Sequence, residues 1–406
     1  MRNVGTIVRG IRTPIIKEND NLANIVVDSV LKACETEKFE LLDKDVIAVT
    51  EAVVGISEGN YATVDNICED IKNKFKTGHL GVVFPILSRN RFSMILKALA
   101  RANKKITLLL SYPADEVGNH LFDEKLLFEK GIDPYTKTLN YDEYKSYFKG
   151  IVHEFTGIDY VDYYKGLIES EDCEAEIIFS NNPKTILNYT NEVLACDIHT
   201  RFRTKQLLNC LGLDDILTES IGGSGYNPQY GLLGSNKSTD ERLKLFPKGG
   251  EKLILDIQKQ IFEKTGKNVE VMVYGDGAFK DPVGKIWELA DPVVSPFYTS
   301  GLKGTPNEIK LKYVSDNKFA DLRGEELELA IRNEIKAKDN DLKGKNITLG
   351  TTPRQITDLL GSLCDLTSGS GDKGTPVVLV QRYFTNYAEE WFFHSFLNFW
   401  KLSNYL

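Results

Sequence analysis

Apolar residues recur along this chain in two rhythms, every second position in some windows and at helical spacing in others, and the rhythms predict most of its elements. Val4, Ile7 and Val8 mark an opening strand that turns at Thr13-Pro14, after which Leu22, Ile25, Val26, Ser29 and Val30 keep the spacing of a helix. Asp45-Val46-Ile47-Ala48-Val49-Thr50 is a short β-branched run bounded by charge, the pattern of a buried strand. It delivers Glu51, and then Gly55-Ile56-Ser57-Glu58-Gly59, at its carboxyl end, where ligands of α/β sheets usually sit.

A second succession follows. Leu80 to Pro85 reads as a strand, Arg91 to Ala102 as a helix, Ile106 to Leu110 and Ala175 to Ser180 as further strands. The polar, tyrosine-rich stretch from Asp115 to Tyr164 predicts only local helices. Such alternation implies parallel pairing with helical crossovers. Ile221 to Gly234, rich in glycine, predicts a loop. Beyond it Lys252 to Phe262 is helical, Val269 to Tyr274 a strand, Ile356 to Leu366 a helix and Val377 to Val380 a central strand. Glu389 to Trp400 predicts an aromatic helix that docks on the core or at a subunit interface.

Length and composition narrow the class. At 406 residues the chain exceeds the roughly 100–200 of one typical domain, which predicts two units or one unit with a large insertion. Its 42% hydrophobic and 27% charged residues are those of a globular protein, and no run approaches the ~20 apolar residues of a membrane span. The opening residues lack a secretory apolar core, so a cytoplasmic location is expected. Cys34, Cys68, Cys173, Cys196, Cys210 and Cys364 show no zinc spacing and read as reduced thiols. His79, His120, His153, His199 and His394 show no metal or nucleophile-base spacing. A net charge of -8, with lysines interleaved among acids, excludes nucleic acid as the expected partner. Small anions held by local amides and lysines stay open.

Five segments carry candidate chemistry. Gly275-Asp276-Gly277-Ala278-Phe279-Lys280-Asp281-Pro282 follows directly on a strand and presents Asp276, Lys280 and Asp281 on a tight turn. Mg²⁺ or Mn²⁺ takes oxygen ligands of this kind, although Asp-Gly also caps turns with no ligand. Thr367-Ser368-Gly369-Ser370-Gly371-Asp372-Lys373-Gly374 lets amides converge on an anion beside Ser370 and Lys373, without Walker spacing; a ligand-free surface loop is the alternative. Ser88-Arg89-Asn90-Arg91 and Asp197 to Arg203 pair arginines with hydrogen-bonding neighbours, for anion grip or for salt bridging. Gly234-Ser235-Asn236-Lys237 contacts phosphate or makes a simple turn.

The order of these motifs resembles the coenzyme F-420-0:L-glutamate ligase (gamma-glutamyl ligase) family. The resemblance rests on Gly10-Ile11-Arg12-Thr13-Pro14, Asp20-Asn21-Leu22-Ala23, Asp45 to Gly59, Gly231-Leu232-Leu233-Gly234-Ser235-Asn236, Tyr274-Gly275-Asp276-Gly277 and Gly369 to Val377, spread over residues 1–60 and 220–385. It implies a mixed α/β (α+β) fold: a ligase-like domain of residues 1–80 plus 216–390, an inserted α/β region of 81–215, and the aromatic helix of 391–406. It implies a homodimer that uses GTP or ATP with Mg or Mn to phosphorylate a carboxylate of F-420-0 or folate type and passes the acyl group to the amine of L-glutamate. Asp276, Lys280 and Asp281 would be catalytic, with Asp276 and Asp372 on the metal. Glu51, Ser57, Glu58, Arg89, Asn90, Arg91, Ser235, Asn236, Lys237, Ser370 and Lys373 would bind nucleotide or substrate.

Some positions depart from the family pattern. Leu233-Gly234 stands where the family has an acid, the turn at Asp276 is shifted by about a residue, and Ser370 replaces an acid or amide. These departures motivate a second reading, a non-catalytic nucleotide- or anion-binding regulatory protein that kept the fold. Residues 81–215, without a counterpart in the resemblance, would supply acceptor specificity or replacement ligands from Glu51, Asp197 or Arg89.

Overall fold

A computed structural model describes residues 4–275, 278–280, 287–289, 295–352, 354–369 and 371–389. The protein is of mixed α/β class, as predicted, and its strands gather mainly into two large sheets. In the first, the order is Ile7–Ile11, Val377–Gln381, Val46–Thr50, Glu270–Tyr274, Phe297–Tyr298, with only the Val46–Thr50 and Glu270–Tyr274 pair parallel. Its three central strands are apolar on both faces, so both must be covered. Ile47, Val49, Val271, Val273, Val377 and Leu379 pack under helices Leu22–Glu37 and Gly250–Thr265. Val46, Ala48, Met272, Val378 and Val380 pack against Leu360 and Cys364 of helix Ile356–Ser368. Each such aliphatic side chain contributes about 1.5–3 kcal/mol on burial.

The second sheet is built from residues 79–212, in the order Leu139–Asn140, Glu174–Phe179, Lys105–Leu110, His79–Val83, Val193–Ala195, Leu211–Gly212. All pairs are parallel except that of Leu139–Asn140. Helices Phe92–Ala102 and Tyr160–Glu169 lie on one face, where Leu80, Val82, Ile106, Leu108 and Ile177 are buried. Val83, Leu109, Ile178 and Val193 pack on the other with Ile186 and Leu208. A small third sheet, Asn236–Thr239, Arg242–Lys244 and Tyr61–Thr63, is antiparallel throughout.

The predicted strands and helices within the described residues are present to within a few residues at each end. The tyrosine-rich stretch does contain local helices, Lys125–Lys130 and Tyr141–Phe148 among them, but its polar reading needs correction. Phe122 stacks on Phe148 with centroids 3.8 Å apart, Tyr144 on Phe179 at 4.2 Å, and Tyr144, Tyr160 and Tyr164 are buried. These three tyrosines are core residues, and the Tyr164 hydroxyl donates to the Ile86 carbonyl at 2.7 Å. Helix Glu51–Ser57, the hairpin at 236–244, and helices Leu311–Asn317 and Gly324–Lys336 were not legible. The aromatic helix predicted from Glu389 lies outside the described residues but for its first position. Among the described residues no helix is long and apolar enough to cross a membrane, and all six cysteines are free thiols.

Candidate functional site

Backbone register brings three segments to one edge of the first sheet. Thr50 lies beside Tyr274, and Val49 beside Val377 on its other side. Thr50 N–H donates to the Pro376 carbonyl at 2.9 Å, and Thr13 N–H to that of Gly374 at 3.3 Å. Strands in a sheet are about 4.8 Å apart, so Glu51, Gly275 and Gly374 to Pro376 leave the sheet as neighbours. Gly275 and the glycine loop after helix Ile356–Ser368 therefore flank the amino end of helix Glu51–Ser57. Asp276, Asp281 and Ser370 themselves lie outside the described residues, and Lys280 ends the short strand Ala278–Lys280.

Glu51 begins that helix and is 7% exposed. Its carboxylate pairs at 2.9 Å with Lys244 Nζ, and Lys244 is 5% exposed. The ammonium arrives from strand Arg242–Lys244, held to Tyr61–Thr63 by antiparallel pairing, and its stem runs past Gly55. A Cβ at Gly55 would sit 2.9 Å from the Leu245 carbonyl oxygen and 3.3 Å from Lys244 Cδ, so the close approach of helix and strand requires glycine. Taking two charges out of water is expensive, so a buried ion pair at the open end of a sheet is a candidate functional group. Lys244 escaped the sequence reading because its strand, Arg242–Lys244, is too short to show a period.

The loop after helix Ile356–Ser368 holds Gly369, Gly371 and Gly374 at φ +61°, +102° and +67°, conformations that favour glycine. Lys373 folds back over Gly369, and Asp372 and Lys373 are exposed. Loop, edge strand Ile7–Ile11 and helix Leu22–Glu37 border a groove of about 1330 Å³. Arg9, Arg12, Lys32 and Lys373 line it against Asp28 and Glu37, an excess of positive charge beside the loop's amides.

The other predicted residues fall elsewhere. Ser57 Oγ donates to the Val54 carbonyl at 3.0 Å, and Glu58 accepts from Lys248 N–H at 3.0 Å and Gly249 N–H at 2.8 Å, fixing the turn before helix Gly250–Thr265. Burial pushes the Glu58 carboxyl above its ordinary range, against those two donors. Asn90 Nδ2 donates to Asn236 Oδ1 at 2.8 Å and Lys237 N–H to the Asn90 carbonyl at 2.7 Å, so the segments at 88–91 and 235–237 meet, at the second sheet. Arg89 is exposed, and Lys237 pairs with Asp240 at 2.7 Å. Asp197 is buried and bonded to Thr200 and Thr204, and Arg201 pairs with Asp214 at 3.0 Å.

Among the described residues no three His, Cys, Asp or Glu side chains gather as a metal's ligand set. A family model described as F420-0:Gamma-glutamyl ligase matches residues 10–382, and the matched span runs through residues 81–215. No curated protein matches the chain.

Proposed function

The chain belongs to the F420-0:gamma-glutamyl ligase family, and from that premise we propose that it is a nucleotide- and metal-dependent gamma-glutamyl ligase joining L-glutamate to a carboxylate acceptor of F-420-0 or folate type. What supports the reading beyond kinship is the convergence at one sheet edge: Gly275, the loop ending at Pro376 and the buried Glu51–Lys244 pair. An acceptor carboxylate oxygen attacks the γ-phosphorus of GTP or ATP, and the nucleoside diphosphate leaves with the electron pair of the broken P–O bond. The glutamate amine then attacks the acyl carbon, phosphate leaves with its oxygen, and the amine's proton passes to a base. Mg²⁺ or Mn²⁺ would spread the developing phosphoryl charge; Asp276, next to Gly275 in the sequence, and Asp372, in the 369–376 loop, are hard oxygen donors of the kind it takes.

The chain's own groups do the positioning. The amides of the 369–376 loop and the ammonium of Lys373 bind phosphate oxygens, with the neighbouring cationic groove receiving the rest of the nucleotide. Lys244 holds the Glu51 carboxylate at the mouth of the site, where it orients the incoming ammonium of glutamate. Lys280 and Asp281, which follow Gly275 in the sequence, are the further catalytic groups of this reading. The working protein is a cytoplasmic homodimer. Incubating it with GTP or ATP, Mn²⁺, L-glutamate and either F-420-0 or a folate tests the proposal. Phosphate release that needs both glutamate and acceptor, with an acceptor heavier by one glutamyl residue, is expected; no release with any acceptor, and no heat from nucleotide with Mn²⁺, refutes it.

One observation favours the second reading, a nucleotide- or anion-binding regulatory protein. Leu233 is 3% exposed in the core beneath the glycine loop, and Gly234 is packed against the Phe246 ring, so this loop presents no acid where the family pattern has one. Nucleotide binding without glutamate-dependent phosphate release would decide for it.

A further inference from the structure

The five parallel strands of the second sheet reverse their order between His79–Val83 and Val193–Ala195. In open α/β sheets, the crevice outside the carboxyl ends of the strands at such a reversal is where ligands bind. On one side of it the chain runs from Ala195 through Cys196 to Thr200 and into helix Arg201–Leu208. Here three successive amides, those of Ile198, His199 and Thr200, turn toward a single carboxylate, that of Glu116. His199 N–H lies 3.1 Å from Oε2 and 3.2 Å from Oε1, Thr200 N–H and Oγ1 each lie 3.0 Å from Oε2, and Ile198 N–H meets Oε1. The three backbone amides and the Thr200 hydroxyl together hold this carboxylate. Such a concavity is built for an anion.

Two buried polar atoms near this cradle have no hydrogen-bond partner. Asp197, 1% exposed, commits Oδ2 to Thr200 and Thr204, both at 2.6 Å, and leaves Oδ1 without a partner. The same Thr200 hydroxyl touches Glu116, so the bare carboxylate oxygen belongs to a group one hydroxyl away from the cradle. Ser235, 2% exposed, leaves Oγ unpartnered on the wall of a narrow cleft that Arg91 lines together with Ile86, Phe92, Ile95, Cys196 and Ile198. Cleft and cradle meet at Ile198, which lines the cleft and gives its amide to the cradle. Buried polar atoms are rarely left unpaired in folded proteins, and two at one crevice ask for a ligand that brings a donor. Glu116 is only half-buried and His199 is exposed, so the resident carboxylate can swing out to solvent.

We propose that this crevice binds an α-amino acid, whose carboxylate takes the place of the Glu116 side chain on the three amides and whose ammonium reaches Asp197. The resident group is itself a glutamyl carboxylate, so a ligand carboxylate of that size fits the cradle by construction. The site is independent of the ligase chemistry, because it needs neither nucleotide nor metal.

Calorimetry of the full chain without nucleotide or metal tests this, with L-glutamate, glutarate (which lacks the ammonium) and inorganic phosphate as probes. A tethered carboxylate competes at an effective concentration of roughly millimolar, so Glu116→Ala should bind L-glutamate at least about tenfold more tightly than the native chain. Glutarate should bind Glu116→Ala more weakly than L-glutamate, and adding Asp197→Asn should erase that preference. A folded Glu116→Ala that takes up no L-glutamate at millimolar concentration, or that prefers phosphate, overturns the proposal. Should Glu116→Ala fail to fold, Glu116→Gln removes the charge and keeps the shape, and the same outcomes apply. Amide resonances of Ile198, His199 and Thr200 in the native chain should shift under saturating L-glutamate; unmoved resonances also overturn it.

Discussion

Replacing Lys244 by Met removes an ammonium and keeps most of its apolar stem. Glu51 is then left in a site where its side chain is 9% exposed and its counter-charge was 2.9 Å away. At that distance and an effective dielectric of about 20 the pair attracts by about 6 kcal/mol, a gain largely offset by the desolvation of both ions. Stripping one partner loses the attraction and keeps the other ion's desolvation, so Lys244→Met should destabilise the first sheet by about 3–5 kcal/mol, and Glu51→Gln by a similar amount. The double variant Glu51→Gln/Lys244→Met buries no charge and should recover most of that loss, giving a coupling of about 3 kcal/mol. Urea unfolding followed by far-ultraviolet dichroism and tyrosine fluorescence measures it, two probes being needed because the two sheets have separate cores and need not unfold together. Single variants within about 0.5 kcal/mol of the native chain, with additive effects in the double, would refute the reasoning, since that is how an exposed pair behaves.

Gly55→Ala should destabilise by about 1–3 kcal/mol in a thermal melt, because its Cβ would press on the Leu245 carbonyl of the neighbouring strand. Asp115 is buried, accepts from Leu87, Val117 and Asn119, and is pushed up to about 6 by burial. Its folded value thus lies above the unfolded 3.8, so this group's contribution is full below about pH 4 and is lost as pH rises to about 6, by on the order of 3 kcal/mol. Asp115→Asn should flatten that decline in denaturation midpoints measured from pH 4 to 7; an unchanged slope would assign it to other groups. Under the ligase proposal, Lys373→Ala and Asp276→Asn should each lower glutamate-dependent phosphate release by about 100-fold or more, with circular dichroism unaltered. A smaller loss in both would move the phosphate site away from the two glycine loops.

The local rhythm of apolar residues was enough to place most strands and helices, because period two and period 3.6 are properties of consecutive residues and of one buried face. Val46 to Thr50 and Val377 to Gln381 read as buried strands because both of their faces are apolar. The glycine loops were likewise legible, since the positive φ values at Gly369, Gly371 and Gly374 suit little else. Short elements such as Tyr61–Thr63 and Arg242–Lys244 were not, as three residues carry no period. The tyrosines of residues 115–164 misled because the same side chain is polar at its tip and apolar over its ring.

Which loops share an edge, and which charges meet, belonged to the tertiary structure. Glu51 and Lys244 are 193 positions apart in the chain, and Glu116 lies 82 from the first amide that holds it. Neither pairing leaves a trace in the residues next to its members. By itself the sequence determined what each segment could become: strand, helix, turn, and the family to which their order belongs. Only the folded chain decided what those segments face, because register and crossover are set by the simultaneous burial of many apolar faces, a condition no local window contains.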